Sequence, residues 1–142
     1  MSTKITAIAL VLGLMITFTA CETDNKTLLT DGAWKFKNMT TDSEDEASKN
    51  FVLLLKVGLT DGTLEFNSDN TFTLNAPVAG DPQTGTWSLI GDDQLLMEGD
   101  DGSIISLPAN IQSLSKKELK YLQTLNVQNL GNLNVTTTWE RD

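Results

Sequence analysis

Thr63-Leu64-Glu65-Phe66-Asn67-Ser68-Asp69-Asn70-Thr71-Phe72-Thr73-Leu74-Asn75 sets the rhythm of most of the chain. Leu64 and Phe66, then Phe72 and Leu74, alternate with polar residues on either side of Ser68-Asp69-Asn70. A period of two belongs to a half-buried strand, and short polar residues that tolerate a left-handed backbone make the joint a tight hairpin. The pattern continues downstream. After a loop from Pro77 to Pro82, Gly85-Thr86-Trp87-Ser88-Leu89 is a strand turned at Gly91-Asp92-Asp93. Gln94 to Glu98 follows and turns at Gly99-Asp100-Asp101-Gly102. Ser103 to Leu107 is expected to form a strand, bent at Pro108 and continued from Ile111 to Ser115. Glu118 to Leu125 and Leu133 to Glu140 close the series around Gly131-Asn132.

Upstream, Ala33 to Met39 alternates as well, with Trp34, Phe36 and Asn38 on one side and Lys35 and Lys37 on the other. The sum is an all-β meander of about eight short antiparallel strands. Such a sheet buries one face and must deal with its edges. Closing into an eight-stranded up-and-down barrel removes them and leaves an interior for side chains or one small ligand. An open β-sandwich is the alternative.

One segment breaks the period. Thr40 to Glu46 is polar and acidic, and Ser43 with Glu46 three residues on reads as a capping box. Ala47, Phe51, Leu54, Leu55 and Gly58 share a helical face, with Asp45 and Lys49 as an i,i+4 pair. This predicts a single helix, from Ser43 to Leu59, between strands one and two; a buried strand through Phe51 to Val57 is the competing reading.

The amino terminus carries a different message. Lys4 precedes a 14-residue apolar run, Ile5 to Phe18, which ends in Thr19-Ala20-Cys21. That length and small-residue exit describe a secretory signal, short for a membrane span. Phe18-Thr19-Ala20-Cys21 resembles the lipobox of bacterial lipoproteins, which implies cleavage before Cys21 and acylation of its thiol. The expected organisation is a signal peptide over 1–20, an acylated cysteine with a polar, aperiodic tether over 21–27, and one barrel domain over 28–142. Glu22 and Asp24 resemble acidic signals that sort some lipoproteins to the cell surface, with a solvated linker as the plainer alternative. The expected location is the bacterial outer membrane, on its periplasmic or surface face, held by the acyl groups on Cys21.

Composition narrows the chemistry. Without Lys4 the chain from Cys21 has 9 basic and 19 acidic residues, a formal charge of −10. That excess argues against nucleic acid and against anionic headgroups, both of which need clustered Lys and Arg. There is no histidine, and Cys21 is the single cysteine. The usual general base, zinc ligand and thiol nucleophile are therefore missing, so no enzyme and no cofactor are expected. Asp92-Asp93 and Asp100-Asp101 lie in turns, which favour Asp in any case, and lack calcium-loop spacing, so no metal is expected.

Gly32-Ala33-Trp34 at the first strand resembles the Gly-x-Trp signature of lipocalins. Arg141 after the last strand is similar to their basic residue near the carboxyl terminus. With the Phe66 to Phe72 hairpin and the Gly85-Thr86-Trp87 strand, the mature chain resembles small lipocalin-like bacterial lipoproteins. The resemblance implies that Arg141 packs on Trp34 and seals one end of the barrel, with Trp139 beside them, and that the helix between strands one and two is a lid. A pocket for a small apolar molecule would be lined by Phe36, Phe51, Leu54, Leu55, Phe66, Phe72, Leu74, Trp87 and Met97. The wider inward-facing set adds Leu64, Leu89, Leu95, Ile105, Leu107 and Val135, with Asn38, Thr73 or Thr137 as polar orienting groups. The other function class is a filled structural barrel that acts as an envelope interaction module.

Overall fold

The computed structural model describes residues 24–102 and 108–142. Cys21, the signal segment, and Ile105 and Leu107 of the expected 103–107 strand lie outside the described residues. In chain order the elements are α1 (Asn25–Thr30), β1 (Trp34–Thr41), α2 (Glu46–Gly58), β2 (Thr63–Phe66), β3 (Thr71–Asn75), β4 (Gln83–Ile90), β5 (Gln94–Gly99), β6 (Ala109–Leu114), β7 (Glu118–Val127) and β8 (Gly131–Glu140). The eight strands pair antiparallel with their sequence neighbours, and β8 returns to β1 in a closed barrel. The sandwich alternative is thereby excluded. The seam joins Phe36 to Trp139 and Thr41 to Val135.

Each hairpin follows from its turn residues. Between β2 and β3, Asn70 takes a left-handed backbone (φ 66°), and Asp69 Oδ1 accepts from the Thr71 amide at 3.0 Å. Phe66 and Phe72 then face each other in register. Gly85 sits opposite Phe72 on β4, where a Cβ would lie 2.7 Å from the Phe72 ring and 2.0 Å from the Glu98 carbonyl oxygen. Only glycine lets the strands approach there.

Following β1 from Trp34 to Thr41 defines two barrel ends. α1, the β2–β3, β4–β5 and β6–β7 turns and Arg141 are at the end where β1 starts. α2, the β3–β4 loop and the β7–β8 turn are at the other. The first end is packed solid: Leu29, Trp34, Leu64, Phe66, Phe72, Trp87, Leu95, Leu119 and Trp139 are all buried in one cluster. At the second end Val52 of α2 packs on Leu125, Leu133 and Val135, with Met39, Phe51, Leu55 and Val127 around them. The hairpin of β7 and β8 stays paired from Glu118–Glu140 to Val127–Gly131, and its upper part is the wall against which α2 leans.

Several local readings are corrected. The stretch expected to be an aperiodic tether is helical from Asn25, because the Asp24 carboxylate accepts from the Thr27 amide at 2.7 Å and starts a short helix that buries Leu29. α2 is capped by Asp45 rather than by a Ser43 box. Asp45 Oδ2 takes both the Ser48 amide (2.9 Å) and the Ser48 hydroxyl (3.0 Å), while Ser43 Oγ is used by the Asp45 amide. Lys49 consequently pairs with Glu44 (3.3 Å) and Glu46, not with Asp45. The buried line of α2 is Ser48 and Val52, with Phe51, Leu55 and then Leu59 half-buried, so the helix is rotated relative to the expected stripe and Ala47 and Leu54 are exposed. The Ser48 hydroxyl, spent on the cap, is what allows a polar residue on the buried side. Finally, a bulge between Phe36 and Asn38 resets the alternation of β1, and Met39 rather than Asn38 joins the apolar interior at the upper end.

Candidate functional site

A strongly apolar concave surface lies at the α2 end, between α2 and the β3–β4 loop. Leaning on that wall at Val52, α2 leaves a gap between its carboxyl-terminal half and the β3–β4 connection. The resulting groove holds about 210 Å³ and is lined by Leu54, Leu55, Gly58 and Leu59 from α2 and its end, by Leu74, by Ala76, Ala79 and Asp81 of the loop, and by Gln83. It is half open to solvent, and its walls are carbon apart from Asp81 and Gln83 at the rim. Gly62, just beyond α2, lets the chain turn tightly into β2: a Cβ there would come within 2.7 Å of the Leu59 carbonyl oxygen. Leu54 is 72% exposed on the groove edge, and Leu53, Val57 and Val78 extend an apolar surface past it.

The nine side chains expected to line a ligand pocket divide into three groups. Leu54, Leu55 and Leu74 meet in the groove. Phe51 belongs to the contact between α2 and the wall, which Leu55 also touches. Phe36, Phe66, Phe72, Trp87 and Met97 lie in or against the sealed cluster. There Phe36 meets Trp139 edge-on at 5.5 Å, and Phe66 meets Trp87 edge-on at 5.4 Å. Three tryptophans and these phenylalanines fill the lower barrel, so the space left for a guest is at the mouth. Gly58, Leu59, Ala76, Ala79, Asp81 and Gln83 are lining residues that the sequence reading passed over. Their one signal was the apolar Ala76-Pro77-Val78-Ala79 inside a connection that should otherwise be polar. Of the expected orienting groups, none lines the groove. Thr137 is buried opposite Tyr121 in the β7–β8 register, and the Tyr121 hydroxyl accepts from the Trp139 Nε1 at 3.1 Å. Burial pushes the Tyr121 phenol above its ordinary range, and hydrogen bonding, from Trp139 first, offsets only part of that. The Asn38 Oδ1 is buried and has no hydrogen-bond partner among the described residues. Among the described residues no three His, Cys, Asp or Glu side chains gather as a metal site.

The opposite end is closed by a specific constellation. The Arg141 guanidinium carbon stands 3.9 Å from the centroid of the Trp34 ring. Its Nε donates to the Lys116 carbonyl at 2.9 Å and its Nη1 to the Leu28 carbonyl at 3.0 Å. Trp34 itself is fully buried and donates from Nε1 to the Leu29 carbonyl at 3.1 Å. One arginine thus ties together the first strand, α1 and the β6–β7 turn, which only a planar group with several donors can do. A family model described as a lipocalin-like domain matches residues 30–121. The chain belongs to the lipocalin-like domain family. The match includes Gly32-Ala33-Trp34 and stops short of β8, so Arg141 and its stacking on Trp34 reinforce the assignment from outside the matched range. No curated protein is similar enough in sequence to count as a relative. In this lipocalin-like barrel the helix between strands one and two packs at one barrel end, with Val52 on Leu125, Leu133 and Val135 and with Met39 of β1 beside them.

Proposed function

We propose that this lipocalin-like protein is a lipid-anchored envelope lipoprotein that binds a small apolar molecule in the groove beside α2. The groove carries the reading: about 210 Å³ of space walled by Leu54, Leu55, Leu59, Leu74, Ala76 and Ala79. A closed apolar cavity of about 150 Å³ accepts benzene, so the volume suits a single ring with a short substituent or a short acyl chain. Desolvation of the guest and walls supplies the affinity, and Gln83 and Asp81 at the rim orient any polar end. Binding rather than catalysis is supported by a sequence without histidine and with one cysteine, which the anchor reading assigns to acylation. The anchor rests on Ile5 to Phe18 followed by Thr19-Ala20-Cys21. The outer membrane is the proposed location.

Titration of the acyl-free domain with a neutral phenylnaphthylamine dye tests the binding reading. Saturable fluorescence enhancement that disappears in Ala79→Phe, which fills the groove from its loop side, supports it. A filled barrel that serves as an interaction module is favoured instead by the packed lower core and by exposed Leu53, Leu54, Val57 and Val78. That reading predicts no saturable dye binding by either protein. The anchor is tested separately by fatty-acid labelling, which Cys21→Ser should abolish.

A further inference from the structure

We propose that the groove faces away from the membrane that holds Cys21, so that its ligand is exchanged with the compartment the protein projects into and not drawn sideways from its own bilayer; this rests on the lipid-anchor reading above. The argument starts at Asp24, the first described residue. Asp24 caps α1, and α1 is fastened to the Trp34 end of the barrel at every turn. Lys26 Nζ donates to Asn70 Oδ1 at 3.1 Å in the β2–β3 turn, and Asn25 Nδ2 donates to the Asp92 carbonyl in the β4–β5 turn. Leu29 is fully buried, its carbonyl holds Trp34, and the Leu28 carbonyl holds Arg141.

Only Glu22 and Thr23 lie between Cys21 and that fixed point, three residue steps in all. Fully extended, those three steps reach about 10 Å. β1 has eight residues and runs the length of the barrel. At a rise of about 3.3 Å and a tilt of about 40°, such a strand spans roughly 20 Å along the barrel axis. The tether is therefore too short to carry the acyl chains round to the α2 end. With Cys21 in the bilayer, the turns at Asn70, Asp92 and Lys116 meet the headgroups, and Leu54, Val78 and Ala79 stand on the far side. The exposed apolar rim of Leu53, Leu54, Val57 and Val78 is then presented outward, where it cannot insert into the anchoring membrane.

Depth-dependent quenching on vesicles decides the point. The full acylated protein, with Cys21 intact, would be labelled with an environment-sensitive maleimide at Asp92→Cys or at Val78→Cys and reconstituted into vesicles bearing headgroup-level spin-labelled lipids. Loss of most of the fluorescence at position 92 with no loss at position 78 is the expected result. Quenching at 78 equal to or greater than that at 92, in protein that floats with the vesicles, overturns the orientation alone. Failure of the acylated preparation to float with vesicles overturns the anchor reading, and the orientation with it.

Discussion

The two ends of this barrel are built from similar apolar residues and finish in opposite states. At the lower end, aromatic rings from β1, β2, β3, β4 and β8 interdigitate, α1 covers them, and Arg141 ties the cover down. At the upper end, one helix is fastened along a single line to the β7–β8 wall and leaves a groove on its free side. The difference lies in how each cover is attached. α1 is held by the Leu28 and Leu29 carbonyls, which accept from Arg141 and Trp34, whereas α2 is held by the side-chain packing of Val52 and its half-buried neighbours. The barrel is thus filled with side chains below, and its apolar groove lies above.

Mutations at the two ends should separate along that line. The largest effect belongs to the lower end: Trp34→Ala should cost about 3–5 kcal/mol in urea unfolding, since it opens a large cavity and strands Arg141. Gly85→Ala tests the same packing by overfilling; with strand backbone 2.0 Å from the new carbon, it should cost at least about 1–3 kcal/mol. At the upper end Val52→Ala removes less and should cost about 1–2 kcal/mol. Arg141→Ala should cost about 1–2 kcal/mol through the lost stacking and hydrogen bonds, with Arg141→Lys recovering only part of it. Leu54→Glu, on the exposed groove edge, should leave the melting temperature nearly unchanged while weakening dye binding. A Leu54→Glu protein as unstable as Trp34→Ala would erase the contrast between the ends.

The smallest effect is electrostatic. Hydrogen bonds from the Ser48 amide and hydroxyl hold the Asp45 carboxyl below its ordinary value of 3.8, and those from Thr27 do the same for Asp24. A depressed folded-state value means that the stabilisation is complete above the unfolded value and is lost as pH falls through the folded one. Melting curves should therefore decline below about pH 4. Asp45→Asn, which keeps the cap without the titrating group, should flatten part of that decline. Tyr121 works in the opposite direction. Its raised value leaves stability intact below the ordinary 10.0 and removes it as pH rises beyond that.

Much of the fold was legible because strand period and turn chemistry agreed with each other. Thr63 to Asn75 announced its hairpin, and most later strands were marked by a Gly, Asp or Asn turn, the Ser115-Lys116-Lys117 turn before β7 being the exception. Trp34 and Arg141 could be paired from strand arithmetic, since the start of the first strand must meet the end of the last. The lid helix was legible as an element, but its rotation was not. Sequence cannot show that Ser48 gives its hydroxyl to Asp45, so Val52 was left off the apolar face and Leu54 was placed on it. The bulge after Phe36 was invisible for a related reason: one extra residue alters no composition, yet it swaps Asn38 for Met39 in the interior. The groove was the least legible feature, because half of its wall is a loop whose apolar residues have no period.

The central claim is that a guest enters the mouth and never the lower barrel. Methyl-resolved NMR of the acyl-free domain during titration with an apolar ring compound tests it most directly. The account predicts progressive shifts at Leu54, Leu55, Leu59, Leu74, Ala76 and Ala79, with Leu64, Leu95 and Leu119 unchanged. Shifts centred on Leu64, Leu95 and Leu119 would contradict it, since they would mean that the lower core opens to admit the ligand.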